Sequence, residues 1–193
     1  NMNNVMCCAY GTSTVVTQAF LYNGMDRLGI AQYLSRIGLL LDGNSGEALA
    51  TAKDYWMTDA AWQGLRRYTE NSLTIEDWCE VFVAQDVVLD TLVYDLIYRQ
   101  FDAAITEAGG ADLAMLIEFM QEWHKDNSRW VDATLKAMVA ESDHNREVIG
   151  NWVSEWQEKA VADLAPLAEV AVGEDAVNAA VEVLNKRLAK AGL

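Results

Sequence analysis

A single proline, Pro166, stands in 193 residues. Proline removes a backbone donor and breaks helix interiors, so a chain nearly free of it can run in long helices. Abundant alanine, leucine and methionine favour the same outcome. The stretch from Thr17 to Gly43 shows the pattern directly. Val16, Phe20, Asn23, Arg27, Ile30, Leu34, Ile37 and Leu41 recur at alternating steps of three and four, which is one stripe of a helix. Arg27 is the anomaly of that stripe. It is either a solvated charge or a buried replacement for some other group.

The remaining pattern is helical too. Asn1 to Thr12 is a small, polar lead with Gly11 as a breaker, and Ser13 or Thr14 can cap the helix that follows to about Leu41. Asp42-Gly43-Asn44-Ser45-Gly46 is a stop and turn cluster. Shorter helices are expected over about Glu47 to Met57 and, after a Thr58-Asp59 cap, Ala60 to Glu70. Thr74-Ile75-Glu76-Asp77 has capping-box spacing and opens a helix to about Glu107, broken by Ala108-Gly109-Gly110. Asp112 starts another to about Ala140. Its stripe is Leu113, Leu116, Met120, Trp123, Asn127, Trp130, Thr134 and Met138. Ser142-Asp143 caps a helix through about Asp163, Pro166 punctuates, and Glu174 to Lys190 closes the chain. Three helices of about thirty residues, each near 45 Å at about 1.5 Å per residue, suit a large antiparallel bundle. The expectation is one all-α domain over 1–193, with a core bundle over about 13–140 and additional helices over about 142–191.

Composition excludes several functions. The net charge of −15 argues against a phosphate-binding surface, so no nucleic acid is expected. No basic amphipathic segment offers itself to a membrane, and the best apolar run, Val81 to Phe101, is broken by Asp86, Asp90 and Asp95. Adjacent Cys7 and Cys8 with a distant Cys79 make neither a disulfide framework nor a zinc spacing, so reduced thiols in a cytoplasm are expected. No phosphate loop, nucleophile elbow or dinucleotide fingerprint occurs.

A bundle can hold two metals with glutamates and a pair of Glu-x-x-His motifs. The one match, Glu141-Ser142-Asp143-His144, straddles a helix break and has no second copy. His124, beside Trp123, reads as a partly buried structural residue. Asp86 and Asp90 share a helix face; solvation or ion pairing with arginine is the ordinary fate of such a pair.

Four segments carry a family resemblance: Met25-Asp26-Arg27-Leu28-Gly29, Gln32 to Gly43, Trp62-Gln63-Gly64-Leu65-Arg66-Arg67-Tyr68 and Ser128-Arg129-Trp130-Val131-Asp132-Ala133. They resemble the β subunit of bacterial phenol hydroxylase, within the bacterial multicomponent monooxygenases. The resemblance implies a ferritin-like helical fold in a chain whose relatives begin well upstream of Asn1. It implies a hydroxylase of α, β and γ subunits, dimerised as (αβγ)2, with the di-iron centre in α. The β subunit would buttress α and form much of the dimer interface. An NADH-fed reductase and a regulatory coupling protein complete a cytoplasmic phenol 2-monooxygenase, and no catalytic, cofactor-binding or metal-ligating residue is expected on this chain.

The α-type motif of that family reads Asp-Glu-x-Arg-His, with Glu and His as ligands. In register with it, Asp26-Arg27-Leu28-Gly29-Ile30 puts Arg27 in the Glu place and Ile30 in the His place. Asp126-Asn127-Ser128-Arg129-Trp130 puts Asn127 and Trp130 there. The resemblance thus implies four lost ligand positions. Isoleucine has no lone pair and indole only donates, and a guanidinium brings fixed charge to a cation's place. A buried guanidinium needs an acid, so Arg27 should pair with Asp86, Asp90 or Asp132. Two other readings remain at this level: a self-sufficient di-iron or di-manganese carboxylate protein, and a helical interaction module unrelated to oxygenases.

Overall fold

The computed structural model describes all 193 residues. Eight helices follow in order: α1 Met2–Tyr10, α2 Thr14–Leu41, α3 Glu47–Thr58, α4 Ala60–Ser72, α5 over 78–107, α6 over 111–141 with an interruption at Glu118, α7 Asp143–Ala171 and α8 Ala176–Ala191. There is no strand. Caps fall where short polar side chains reach free backbone donors. Asp59 accepts from Ala61 N at 2.9 Å, and Ser142 Oγ from Asn145 N at 3.0 Å. The cap of α5 is Asp77, which accepts from Cys79 N at 2.7 Å. Thr74, expected as its capping box, instead donates back to Asn71 O at 2.8 Å.

Two other features depart from the sequence pattern. The small polar lead is itself a helix: α1 lies along α2 and turns Asn3, Asn4 and Cys7 inward. Pro166 lies inside α7, which continues to Ala171. A proline forfeits one backbone bond. Burial of Leu164, Leu167 and Ala168 on both sides of it holds the helix together against that loss.

Helix α5 is the axis. Val81, Phe82, Val83, Ala84, Val87, Val88, Leu92 and Leu96 are all buried, and so are Asp86, Asp90 and Asp95, so the helix is enclosed around its circumference, as a central helix must be. Helix α7 covers its Val83–Leu89 segment and α8 its Asp90–Asp95 segment. Ile149, Val153, Trp156, Ala160 and Leu164 from α7, with Val177, Ala180, Leu184 and Leu188 from α8, share one continuous core with it. Residues 142–191 thus build the core jointly with 13–140. Helix α4 crosses α7 at Gly64, where an added Cβ would run into the backbone of Asp163. Arg67 Nε donates to the Asp163 carboxylate at 3.1 Å and locks that crossing.

Helix α2 is more peripheral than its stripe implies. Phe20, Asn23, Gly24 and Ile37 are buried, while Leu34 and Leu41 are exposed. Phe20 anchors it, edge-on to Trp78, Phe82 and Trp130 with ring centroids 6.2, 5.7 and 5.3 Å away.

Candidate functional site

Helix α5 does not keep α-helical register. Val83–Leu89 and Leu96–Phe101 are π-helical, a widening that re-aims side chains and recurs at functional sites. The Asp90 amide bonds Gln85 O, five residues back, across the first of these segments. Asp86 and Asp90 both point inward at this turn and are 2% and 3% exposed. A buried carboxylate is costly unless paired, and α2 supplies the partner. Arg27 Nη2 lies 3.1 Å from Asp86 Oδ1 and also bonds Asp90 Oδ2, while Nη1 donates to Asp90 Oδ1 at 3.1 Å. The third candidate, Asp132, is not in this cluster. It accepts from Arg187 Nε at 2.9 Å and Nη2 at 2.6 Å.

Amides complete the cluster. Asn23 Nδ2 donates to Asp86 Oδ1 and to Asn4 Oδ1, each at 2.7 Å. Gln85 Nε2 donates to Asp90 Oδ1 at 2.9 Å, and Asn3 Nδ2 to Gln85 Oε1 at 3.0 Å and Ser72 Oγ at 2.8 Å. Four buried atoms here have no partner: Asn4 Nδ2, Asn23 Oδ1, Arg27 Nε and Asp86 Oδ2. Burial pushes the Asp86 carboxyl up to about 7 against the pull of Arg27. Burial alone would lower the Arg27 pKa, but Asp90 and Asp86 outweigh it and hold the guanidinium above its ordinary value.

The four residues expected at lost ligand positions fall into two groups. Arg27 fills the cluster, with Ile30 half-buried one turn further on the same helix. On α6, Trp130 Nε1 donates to Asn127 Oδ1 at 2.6 Å, so those two side chains satisfy each other. The Trp130 ring sits against Phe82 at 6.0 Å as well as Phe20. Asn23 and Asp26 of α2 meet Asn127 and Trp130 of α6 in a groove of about 340 Å³. Trp123 borders it, donating to Asp26 Oδ2 at 2.9 Å with its ring 5.8 Å from the Arg27 guanidinium carbon. Asp86 and Asp90 offer oxygens, but a permanent cation engages both. An indole N–H and an isoleucine offer no lone pair to iron. These side chains do not fit a carboxylate-bridged iron pair.

Two further sequence candidates lie elsewhere. His124 stacks on Tyr94 at 4.5 Å, and burial pushes its pKa down to about 4. Glu141 ends α6 and His144 lies in the first turn of α7, both exposed. The sequence pattern did not single out Asn3, Asn4 or Gln85. The one available signal was the helical spacing of Asn3 and Cys7, hidden in a run that reads as polar lead.

The sequence profile of the Methane/Phenol/Alkene Hydroxylase family matches residues 1–142. An oxygenase component of phenol 2-monooxygenase from Pseudomonas sp. strain CF600 is 50% identical over the whole chain, which covers 58% of that protein. The β subunit of the toluene-4-monooxygenase hydroxylase component from Ectopseudomonas mendocina is 30% identical over 105 residues, 54% of this chain and 32% of its own length. Among solved structures, a chain of xenon-pressurized phenol hydroxylase from Pseudomonas sp. OX1 superposes with a TM-score of 0.96 at 43% identity. The match covers 98% of this chain and 58% of that one. The chain therefore spans a little over half the length of the phenol-oxidising relatives it matches.

Proposed function

Because this chain belongs to the methane/phenol/alkene hydroxylase family and has its ferritin-like helical fold, we propose that it is the structural β subunit of a multicomponent phenol hydroxylase. In this reading the chain carries no active site. It supports the α subunit, which holds the di-iron centre and performs aromatic hydroxylation, and it helps to dimerise an (αβγ)2 assembly in the cytoplasm. A reductase drawing on NADH and a coupling protein serve that assembly.

The observation that carries the reading is Arg27. Its guanidinium pairs with two buried carboxylates where the family motif places a metal-binding glutamate. The internal charge of Arg27 replaces the charge of a metal, so the helices stay joined without one. The outward face of α2 supports the assembly half of the reading. Leu21, Tyr22, Met25 and Leu28 are 46–59% exposed, and contiguous apolar surface on a helix marks an interface.

Metal analysis after co-purification tests both halves. Iron should follow the α subunit, the chain alone should carry none, and α should be recovered with it. About two metals bound per copy of this chain would overturn the reading.

A further inference from the structure

Asn23 Nδ2 donates to Asp86 Oδ1 at 2.7 Å. The other atom of each group, Asn23 Oδ1 and Asp86 Oδ2, is buried and has no hydrogen-bond partner. As a carboxylate, Asp86 leaves two acceptors unmet in the core, and each such group is costly to bury unpaired. Neither unpartnered donor of the cluster, Asn4 Nδ2 or Arg27 Nε, completes a hydrogen bond to them, although the Asn4 and Asn23 amides both pull the Asp86 pKa down against burial. One proton removes the problem. A carboxylic acid and a primary amide are complementary at both atoms: the amide N–H donates to the acid carbonyl and the acid O–H donates to the amide carbonyl.

We propose that Asp86 is the protonated member of a two-bond acid–amide pair with Asn23, leaving Arg27 and Asp90 as the ion pair of the cluster. Oδ2 carries the proton and donates it to Asn23 Oδ1, while Oδ1 accepts from Asn23 Nδ2. The charges then balance. Arg27 and two carboxylates would leave one net negative charge buried, whereas Arg27, Asp90 and a neutral Asp86 leave none. Arg27 already meets Asp90 through both of its Nη atoms and Asp86 through one. Burial, which pushes Asp86 up to about 7, acts in the same direction.

The other titratable groups around Asp86 do not supply a second cation from the packed helices. From α1 comes the Cys7 thiol, kept neutral chiefly by burial. From α4, Tyr68 donates to Ala84 O at 2.8 Å and is neutral. Asp163 of α7 is held by Arg67, and Arg187 of α8 by Asp132 and Thr91. His124 of α6 is kept neutral chiefly by burial.

The test is urea unfolding of the wild type and Asp86→Asn at a series of pH values from about 5 to 8. A folded-state pKa raised above the unfolded value of about 3.9 stabilises the fold while the proton is bound, and that gain is lost as pH rises. The wild-type folding constant, relative to D86N, should fall about tenfold per pH unit between about 5 and 7 and then level off. A ratio that is flat or rises with pH would mean an ionised Asp86 and would overturn the proposal. Should D86N fail to fold, infrared spectra of the wild type at about pH 6 decide. Exposed carboxyls are ionised there, so a carboxylic-acid carbonyl band that disappears above neutrality supports the pair, and its absence overturns it.

Discussion

The Arg27 guanidinium meets the Asp90 carboxylate edge to edge: Nη1 donates to Oδ1 at 3.1 Å and Nη2 to Oδ2. Both side chains are nearly closed to solvent, at 14% and 4% exposure. Bidentate pairing of this kind fixes direction as well as charge. It orients α2 on the central helix at the turn where α5 widens into a π-helix.

Breaking that pair from one side should be far worse than removing it whole. Arg27→Met leaves Asp90 buried without a counter-ion, a change worth about 3–5 kcal/mol. Adding Asp90→Leu removes the stranded charge, and the double variant should regain at least about 2 kcal/mol of that loss. Urea midpoints of the two variants against wild type measure the difference. A double variant no more stable than the single one would mean that Asp90 is not the ion Arg27 neutralises.

The crossing of α4 and α7 gives a prediction of a different kind. A methyl at position 64 meets the backbone of Asp163 and not a side chain that could swing aside. Overpacking a tight site costs about 1–3 kcal/mol and more where backbone must move. Gly64→Ala should therefore destabilise by about 3 kcal/mol or more in thermal unfolding. It should also alter the fluorescence of Trp156, which packs on Tyr68 of the same helix at 5.1 Å. A near-neutral change would show that the two helices can separate freely.

Phe20 should be the residue that keeps α2 docked. It is fully buried among three aromatic rings, while most of the helix faces outward. Truncating a buried Phe to Ala costs about 3–5 kcal/mol. In Phe20→Ala, amide exchange should accelerate over Thr14–Leu41 more than over α5, because α5 keeps its contacts with α7 and α8. Equal acceleration in both would remove the idea of a single anchor.

Much of this was legible in the residues, and the illegible parts share a cause. Helix ends marked by Asp59, Gly109 and Ser142 are local chemistry, and the structure places breaks there. The pairing of Arg27 with an acid on a facing helix follows from charge logic, since a guanidinium on an apolar stripe demands one. Which acid did not follow. On the sequence Asp132 is as good a candidate, but Arg187, 55 residues away, holds it. The persistence of α7 through Pro166 depends on burial of Leu164 and Leu167, which no local rule registers. The π-helical turns of α5 are equally silent, because an extra residue per turn leaves an apolar sequence looking unchanged. Asn3 and Asn4 were hidden for the opposite reason: polar residues in a buried network resemble polar residues in a loop.

The outward face of α2 should decide assembly without deciding folding. Met25 and Leu28 are 59% and 57% exposed, so Met25→Asp with Leu28→Asp should change stability by no more than about 1 kcal/mol. If that face meets the α subunit, the double variant should bind it at least tenfold more weakly in a co-purification titration. Unchanged binding would place the interface on another surface.

The acid response of His124 opposes in sign that of Asp86. His124 stacks on Tyr94, its Nδ1 is buried without a partner, and its pKa is pushed down to about 4 by burial, well below an ordinary histidine. A base whose folded pKa is depressed takes up protons in the unfolded chain first. Its contribution is intact above about pH 6.5 and is lost as pH falls towards 4, at a slope of up to roughly 1.4 kcal/mol per pH unit. Over much of the same window the proton on Asp86 makes stability fall as pH rises. The two slopes offset each other, so the wild-type profile between about pH 5 and 6.5 should be nearly flat. His124→Phe keeps the stack on Tyr94 and gives up only a long contact of 3.5 Å between Nε2 and Ser128 Oγ. It should cost little at neutral pH, and below about 6.5 its stability should climb as pH falls, exposing the Asp86 slope alone. Urea unfolding across that range is the measurement. An H124F profile that parallels the wild type would show that His124 ionises freely in the folded chain.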